Sequence, residues 1–303
     1  MNKPLVTAVI TSYKREPAIV ERALKSIISQ TYSNIEIFVV DDSPADYTLR
    51  QDVKAMVESY STYNVKYIAH EINQGACAAR NTGLALSTGE FIGFLDDDDE
   101  WLPNKIEEQL KGFTDERIGL VYCSSITFDD TTNKAVVYKP ASILKDCYAA
   151  LLEKNNFVGS TSFPLLKTKA LIDAGGFDPS MPAAQDYDTW IRVAQNYNFG
   201  FIEAPLVRYH VHTGEQITKN YDKKIAGISL IMQKHKAFLD SNPKALSNFL
   251  LYFVTVYTAK NDCGTAFKHW LQAVKINPFN ARKNLIGLGR IIKCLLGFYR
   301  RKG

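Results

Sequence analysis

The chain has 303 residues, 46% of them hydrophobic and 22% charged, which suits a globular protein with one large domain and an appendage. Its net charge of +4 is unevenly spread, because residues 279–303 hold seven Lys or Arg and no acidic residue. The remainder is slightly acidic, which disfavours a general nucleic-acid-binding protein.

The cysteine content predicts a reducing compartment. The five cysteines are widely spaced and show no Cys-x-x-Cys or Cys/His ligand spacing, so we expect reduced thiols and neither a disulfide framework nor a zinc site. The apolar run after Lys3 ends at Ile10, too early for a signal peptide, and no run approaches the ~18 apolar residues that span a bilayer. The sequence therefore predicts a cytoplasmic protein.

The first hundred residues alternate between apolar strands and amphipathic helices. Strands are predicted at 5–10, 35–40, 65–69 and 91–95, with helices at 17–28, 46–60 and 73–86 between them. Strand and helix alternating at this spacing predict a parallel sheet wound by crossover helices.

The rest of the chain is less regular and then helical. The predicted elements are strands at 120–122, 162–166 and 199–211, a hairpin at 126–138, and helices at 141–155, 169–174, 186–196, 225–239, 246–257, 263–276 and 281–298. We expect two domains, 1–218 with the sheet and 219–303 as a helical C-terminal region with a basic amphipathic end.

Polar residues follow three of the predicted strands. They are Thr11-Ser12-Tyr13, Asp41-Asp42 and the run Asp96-Asp97-Asp98-Asp99, which we call the acidic turn. Ligands of parallel sheets bind beyond the carboxyl ends of the strands, so these groups are expected to meet. Four adjacent carboxylates repel one another, and a divalent cation is the simplest counter-charge, although a solvated acidic turn is the alternative.

Seven segments in order resemble the family 2 inverting glycosyltransferases. They are Val9-Ile10-Thr11-Ser12-Tyr13 with Arg15, Ser29-Gln30-Thr31-Tyr32, Val39-Val40-Asp41-Asp42-Ser43, Asn73-Gln74-Gly75 with Ala79-Arg80-Asn81-Thr82-Gly83, Gly89-Glu90 leading to Leu95 through Trp101, Gly175-Gly176-Phe177-Asp178, and Asp186-Tyr187-Asp188-Thr189-Trp190-Ile191-Arg192. The resemblance covers roughly residues 4 to 215. It implies the α/β GT-A fold, a Rossmann-like and mostly parallel central sheet flanked by helices, here with a C-terminal helical appendage.

The resemblance also implies an activity and a donor site. Such an enzyme moves a sugar from a nucleotide-diphosphate sugar, here a UDP-sugar, to a saccharide or lipid-linked glycan in cell-surface polysaccharide biosynthesis. Thr11 and Asp42 would hold the base, with Tyr13 beside them, because a carboxylate can accept the N–H of a uracil edge. Asp41 is expected to cap the next helix. Arg80 would lie near the nucleotide or, alternatively, be a surface helix cation paired with the acidic turn.

The acidic turn matches the family's Asp-x-Asp metal motif. Asp98 and Asp99 align with the metal- and ribose-contacting positions, Asp96 supports donor binding, and Asp97 fills the variable position as a bystander. His212 matches a late histidine that completes the metal or phosphate site, or is a satisfied surface histidine. These ligands suit Mn²⁺ or Mg²⁺, which takes carboxylate and phosphate oxygens together.

Asp186 matches the family's general base, which removes the acceptor hydroxyl proton as that oxygen attacks the anomeric carbon. The family has a Glu-Asp pair at this point, whereas this chain has Gln185-Asp186. The change removes one negative neighbour that would raise the pKa of Asp186. His210 is expected to be a surface histidine, and Trp190 a core residue.

The basic C-terminal helix has two interpretations. Its mixture of large apolar and cationic residues suits peripheral contact with an anionic membrane on the cytoplasmic side, or a helix docked on the main domain. Two other functions remain open at this point. A sugar nucleotidyltransferase would need a glycine-rich loop after the first strand, which residues 11–17 lack, and a non-catalytic saccharide-binding protein is favoured only by Gln185.

Overall fold

The computed structural model describes residues 3–211 and 220–297. The chain divides into two compact units, one made of residues 3–148, 156–179 and 186–211, the other of residues 149–155, 180–185 and 220–297. The predicted domain boundary between residues 218 and 219 lies outside the described residues.

The first unit is built on one mixed sheet. Its strands are β1 Val6–Ser12, β2 Ile35–Asp41, β3 Val65–Ala69, β4 Phe91–Asp96, β5 Glu100–Trp101, β6 Ile118–Asp129, β7 Lys134–Tyr138, β8 Leu165–Lys167 and β9 Asn198–Val211. They lie in the order β3-β2-β1-β4-β8-β6-β9-β5, with β7 paired to β6. β3, β2, β1 and β4 run parallel, and antiparallel pairs enter at β8. The predicted α/β architecture is confirmed.

Seven α-helices precede β9 within the described residues, and the first three of them follow the predicted alternation. The seven are α1 Pro17–Ile28, α2 Arg50–Glu58, α3 Ala76–Leu86, α4 Lys105–Lys111, α5 Cys147–Lys154, α6 Thr168–Asp173 and α7 Gln185–Ala194. α2 begins four residues later than predicted, because backbone bonds from Tyr47 to Pro44 and from Arg50 to Tyr47 form turns there. Pro44 therefore starts a turn and not a helix.

The core beneath the parallel strands forms because their apolar residues are continuous and α1 presents a matching stripe. Ile10 of β1, Leu24 and Ile27 of α1, and Leu95 of β4 are fully buried in one cluster. On α3, a Cβ at Gly83 would lie 2.4 Å from the Val9 Cγ1, so only glycine allows this approach. The sheet is thereby packed closely enough to fix where its strand ends point.

The second unit is helical. It contains most of α5 and the helices α8 Tyr221–Lys234, α9 Lys236–Ser241, α10 Pro243–Ala259, α11 Cys263–Ile276 and α12 Ala281–Leu295. α10, α11 and α12 share a cluster that includes Val254, Ala266, Ala273 and Ile291. Across the described residues, no helix is both long and apolar enough to cross a membrane.

A disulfide joins Cys263 of α11 to Cys294 of α12. The expectation of reduced thiols throughout is therefore wrong for this pair. The two cysteines are 31 residues apart in sequence, and only the packing of α12 on α11 brings them together. Cys77, Cys123 and Cys147 are free and buried, as expected for structural thiols.

Candidate active site

The carboxyl ends of the parallel strands β1, β2 and β4 meet at one edge of the sheet. In the β1–β2 pair Ser12 lies opposite Asp41, and in the β1–β4 pair Thr11 lies opposite Asp96. The polar residues that follow β1, β2 and β4 therefore lie side by side, as the sequence predicted.

Asp96 opens the acidic turn and accepts hydrogen bonds from three side chains. Arg80 Nη2 lies 2.9 Å from its Oδ1, and the Thr161 hydroxyl lies 3.1 Å from the same oxygen. The Ser160 hydroxyl donates to Oδ2 at 3.1 Å. The carboxylate of Asp96 is thus held in a fixed orientation by one cation and two hydroxyl groups.

Arg15, from the segment between β1 and α1, forms ion pairs with two members of the acidic turn. Its Nε lies 2.8 Å from Asp97 Oδ1 and its Nη2 lies 2.7 Å from Asp98 Oδ2. Asp97, predicted to be a bystander, is 5% exposed, and burial raises its pKa to about 7 in spite of Arg15. Arg22 donates to the backbone carbonyl of Asp98 at 2.8 Å. Arginine therefore balances much of the charge of this turn.

Asp99 lies in the protein interior with no solvent exposure. Its Oδ2 accepts the Ser162 hydroxyl at 2.6 Å and its Oδ1 accepts the His210 backbone N–H at 3.1 Å. Burial, and secondarily the charge of Asp96, raises the pKa of Asp99 well above its usual range. These contacts fix the end of the acidic turn against β9.

His210 is buried, so the expectation of a surface histidine is wrong. Its Nδ1 lies 2.7 Å from Asp130 Oδ1 and its Nε2 lies 2.8 Å from Glu100 Oε1. These carboxylates raise the pKa of His210 although burial lowers it. His212, the predicted metal ligand, lies outside the described residues.

The predicted base-binding residues differ in exposure. Tyr13 is 44% exposed and Thr11 is half-buried, whereas Asp42 is buried. Asp42 accepts the backbone N–H groups of Gln74 and Gly75 at 2.8 and 2.7 Å, and its Oδ1 lies 2.7 Å from His70 Nδ1. Asp42 therefore also orders the segment that leads into α3.

Asp41 does not cap the next helix, so that expectation is wrong. Its Oδ1 accepts the Ser43 backbone N–H at 2.9 Å and its Oδ2 accepts the Tyr67 hydroxyl at 2.7 Å. α2 begins farther along the chain, and its N-cap residue is Leu49. Asp41 instead ties β2 to β3 at the site edge.

Arg80 is paired with Asp96 of the acidic turn, which agrees with one alternative in its partner but not in its exposure. It is 9% exposed, and the guanidinium carbon lies 5.4 Å from the centroid of the Phe177 ring. The residue is therefore buried and not on the surface. Its contact with a nucleotide stays a prediction.

Asp186 is half-buried at the start of α7. Asn156 Nδ2 donates to its Oδ2 at 3.0 Å. Burial raises the pKa of this carboxyl, while the Tyr187 backbone N–H, Arg80 and Asn156 oppose the rise. A carboxyl whose pKa is raised towards neutrality suits a general base, but the role of Asp186 stays a prediction.

Sequence reasoning missed the loop of residues 156–162, which carries Asn156, Ser160, Thr161 and Ser162 to the carboxylates described above. The only available signal was the run of three hydroxyl residues after Gly159. Such a run is common in ordinary loops, so the sequence alone did not point to it.

The donor set of the acidic turn is compatible in chemistry with a hard cation. Within residues 3–211 and 220–297, no group of three His, Cys, Asp or Glu side chains is arranged to hold a metal ion. The guanidinium of Arg15 forms an ion pair with Asp98, whose side chain is 23% exposed. Asp98 therefore binds a cationic group at a position that solvent can reach.

Comparison with known proteins shows which family the chain belongs to. The family described as Glycosyl transferase family 2 matches residues 7–175. The putative colanic acid biosynthesis glycosyl transferase WcaA of Escherichia coli (strain K12) is 32% identical over 258 residues, covering 83% of this chain and 88% of WcaA. The Escherichia coli UDP-Glc:alpha-D-GlcNAc-diphosphoundecaprenol beta-1,3-glucosyltransferase WfgD is 30% identical over 207 residues, covering 68% of this chain and 76% of WfgD.

The fold is similar to that of a solved structure. A crystal structure of S. aureus TarS 1-349 in complex with UDP-GlcNAc superposes with a TM-score of 0.61 at 17% identity, covering 94% of this chain and 92% of TarS 1-349. This likeness confirms the predicted GT-A fold. The family match favours a glycosyltransferase over the two alternatives, a sugar nucleotidyltransferase and a non-catalytic saccharide-binding protein. The chain belongs to glycosyl transferase family 2 and is a glycosyltransferase.

Proposed function

We propose that the chain is an inverting glycosyltransferase that moves a sugar from a UDP-sugar to a saccharide or lipid-linked acceptor in cell-surface polysaccharide biosynthesis. Family membership supports the transfer, the similarity to WcaA supports a role in polysaccharide biosynthesis, and the similarity to WfgD supports a UDP-sugar donor. The observation that carries the proposal is geometric. Asn156 of the loop of residues 156–162 contacts Asp186, and Ser160 and Thr161 of the same loop contact Asp96, so one loop joins the base candidate to the strand ends.

The donor would bind at the strand ends. The exposed Tyr13 ring and the half-buried Thr11 border this edge, and Asp42 brings a carboxylate that can accept a uracil N–H. Arg80 brings a guanidinium that can contact a diphosphate oxygen, as arginine commonly does. Asp96 would then keep Arg80 oriented between catalytic cycles.

A divalent cation, Mn²⁺ or Mg²⁺, would be held by Asp98 with Asp99 and His212 and would neutralise charge on the leaving diphosphate. Asp98 provides the more accessible carboxylate, whereas the Asp99 carboxylate is occupied by Ser162 and the His210 amide. Asp99 would therefore contribute chiefly by fixing the turn. Arg15 would leave Asp98 when that carboxylate takes up another cation.

Asp186 would act as the general base. Its carboxylate would accept the acceptor hydroxyl proton while that oxygen attacks the anomeric carbon from the face opposite the diphosphate, which inverts the configuration. Its raised pKa strengthens it as a base, and the Asn156 hydrogen bond keeps the ionised form available. Gln185 donates to the Met181 carbonyl at 3.2 Å and brings no charge.

The experiment that tests this function is a thermal-shift screen of nucleotide sugars with and without Mn²⁺, because only a bound donor stabilises the fold. We expect a UDP-sugar to raise the melting temperature in a Mn²⁺-dependent manner and EDTA to abolish turnover. Asp186→Asn should lower transfer by about 10²- to 10⁴-fold and leave donor binding intact. Full activity in that variant would remove the base assignment, and turnover unchanged by EDTA would remove the cation.

We also propose that the second unit contacts anionic lipid on the cytoplasmic face of the membrane. Residues 263–297 contain six Lys or Arg and no acidic residue, so their charge complements an anionic surface. Leu285, Ile292 and Leu295 on α12 are 68%, 48% and 70% exposed. Cations beside exposed large apolar side chains are typical of helices that lie on a membrane.

Vesicle sedimentation tests the lipid contact. The full chain should sediment with phosphatidylglycerol vesicles and not with phosphatidylcholine vesicles, and Leu285→Asp with Leu295→Asp should reduce this binding. Val136→Asp is the matched control, because Val136 is 66% exposed on β7 of the first unit. Equal binding of both vesicle types by every variant would contradict the proposal.

A further inference from the structure

The loop of residues 156–162 is fixed to α7 at two points. Asn156 Nδ2 donates to Asp186 Oδ2 at 3.0 Å, and Trp190 Nε1 donates to the Gly159 carbonyl at 3.1 Å. Asp186 and Trp190 are four residues apart, so both lie on the same face of the helix. Trp190 has no solvent exposure, and the second attachment is therefore part of the core.

The orientation of the Asn156 amide is determined by its other contacts. Its Oδ1 accepts the Gly159 backbone N–H at 3.0 Å, and an amide oxygen is the only end of the group that can do so. The nitrogen must then face Asp186, where it is a donor, and it also lies 3.2 Å from the Gly159 carbonyl oxygen. If the amide were reversed, its oxygen would face the Asp186 carboxylate and its NH₂ group would face the Gly159 N–H. Neither pair could form a hydrogen bond, so this orientation is excluded.

The loop has a glycine-specific backbone at Gly159 and further contacts beyond it. Gly159 has φ +93°, and a Cβ there would lie 2.5 Å from the Phe163 ring. Beyond Gly159, Ser160 and Thr161 donate to Asp96, and Ser162 donates to Asp99. The loop is therefore attached to α7 at one end and to the acidic turn at the other, and it sets the Asp186 carboxylate relative to both.

Other charged and titratable groups also act on Asp186. They are Arg80 of α3, which favours the ionised form, Asp96 of β4, which disfavours it, and the Tyr209 hydroxyl of β9. Gln185 adds no charge next to Asp186, where the family has a glutamate. Asn156 is the neutral side chain that donates a hydrogen bond to the carboxylate itself.

We propose that Asn156 is a positioning residue for the transfer reaction, orienting the Asp186 carboxylate through the Nδ2–Oδ2 hydrogen bond and favouring its ionised form. The inference rests on the proposed base role of Asp186 for its effect on turnover. The contact and its influence on the carboxyl can be measured without that role.

The decisive variant is Asn156→Asp. Its carboxylate still accepts the Gly159 N–H, but it replaces the donor facing Asp186 with a second acidic oxygen. Two carboxyls at this distance cannot both ionise freely, so we expect the Asp186 carboxyl to titrate about one pH unit or more higher. This is read by ¹³C NMR of aspartate-labelled protein, with Asp186→Asn identifying the signal. Asn133→Asp adds the same charge at an exposed hairpin residue and is the matched control.

Turnover gives the second readout. Using the donor identified by the thermal-shift screen, Asn156→Asp should lower kcat at neutral pH by about 10-fold or more, leave the donor KM within about 2-fold, and move the acidic limb of the pH profile upward. Asn156→Ser, which keeps a local hydroxyl but does not reach Asp186, should also lower kcat, and it decides the question if Asn156→Asp fails to fold.

The two inferences fail in different ways. Folded Asn156 variants with wild-type titration and wild-type kcat would overturn the positioning role. If Asp186→Asn keeps full transfer while Asn156→Asp still shifts the NMR titration, the base assignment falls and the contact stands. A loss of turnover in Asn156→Asp with an unshifted titration and a raised donor KM would also overturn the positioning role, because the loss would then come from donor binding.

Discussion

The two ends of the parallel sheet both bury carboxylates, but they stabilise them with different partners. At the amino end, Glu36 accepts hydrogen bonds from the Thr7 hydroxyl, from the Thr88 hydroxyl and backbone N–H, and from the Gly89 backbone N–H. These donors lower the pKa of Glu36 although burial, the largest influence, raises it. At the carboxyl end, burial raises the pKa of Asp97 to about 7, and burial also raises the pKa of Asp99 above its usual range.

The difference separates stability from function. Neutral backbone and hydroxyl donors stabilise the ionised form of Glu36, and no ligand is needed to balance its charge. The acidic turn is instead balanced partly by arginine, and its Asp98 remains accessible to solvent. Carboxylates whose negative charge is only partly balanced are expected where a ligand supplies further positive charge.

Asp98→Asn should have the largest effect, because it removes the most accessible carboxylate proposed to hold the cation. We expect Mn²⁺-dependent affinity for the UDP-sugar to fall by about 100-fold or more, because a neutral amide is a poor ligand for a hard cation. Titration calorimetry with and without Mn²⁺ measures this. Asp97→Asn is the control within the same turn and should keep donor binding, since Asp97 is buried against Arg15. Unchanged affinity in Asp98→Asn would remove the cation from the acidic turn.

Glu36→Gln should act on stability alone. The amide nitrogen would face backbone N–H donors, so we expect the free energy of unfolding to fall by about 3 kcal/mol while kcat is retained. This decrease in the free energy of unfolding should be largest above the pKa of glutamate in the unfolded chain, about 4.3. It should become smaller as the pH falls through the lowered pKa of Glu36 in the folded protein. Urea unfolding at several pH values measures it. Glu58→Gln, on the exposed face of α2, should change stability little.

Sequence patterns predicted the strand ends well, since each depends on a short apolar run followed by polar residues. They did not predict the partners of the carboxylates. Arg15 is 82 residues from Asp97, and Ser162 is 63 residues from Asp99, so only the folded sheet brings them together. His210 was misplaced for the same reason, because Asp130 is 80 residues away on the β6–β7 hairpin. The disulfide was missed because helix packing alone sets it.

Asp97→Asn should stabilise the protein in a pH-dependent way. The folded pKa of about 7 lies above the unfolded value, so ionised Asp97 lowers stability progressively as the pH rises from about 4 through 7. Removing that charge should raise the free energy of unfolding by about 1–2 kcal/mol at pH 8 and change it little near pH 4. Denaturant curves at both pH values decide this. An equal decrease in the free energy of unfolding at both pH values would mean that the ion pair with Arg15 stabilises the protein by more than the burial of ionised Asp97 destabilises it.

Arg15→Gln should have the smallest effect and tests the contrast most directly. The guanidinium occupies Asp98 Oδ2 at 2.7 Å with 28% of its side chain exposed, so any other cation at that carboxylate must displace it. Half-exposed ion pairs contribute about 1 kcal/mol or less, so Mn²⁺ affinity without donor should rise only about 3- to 5-fold, measured by electron paramagnetic resonance of free Mn²⁺. Arg117→Gln, which removes an exposed arginine paired with Asp115, controls for net charge.

A fall in affinity would mean that Arg15 holds the turn in its binding geometry. The carboxyl end of the sheet would then resemble the site of Glu36, whose hydrogen-bond partners stay in place. A rise would mean that arginine balances the turn only until a metal replaces it.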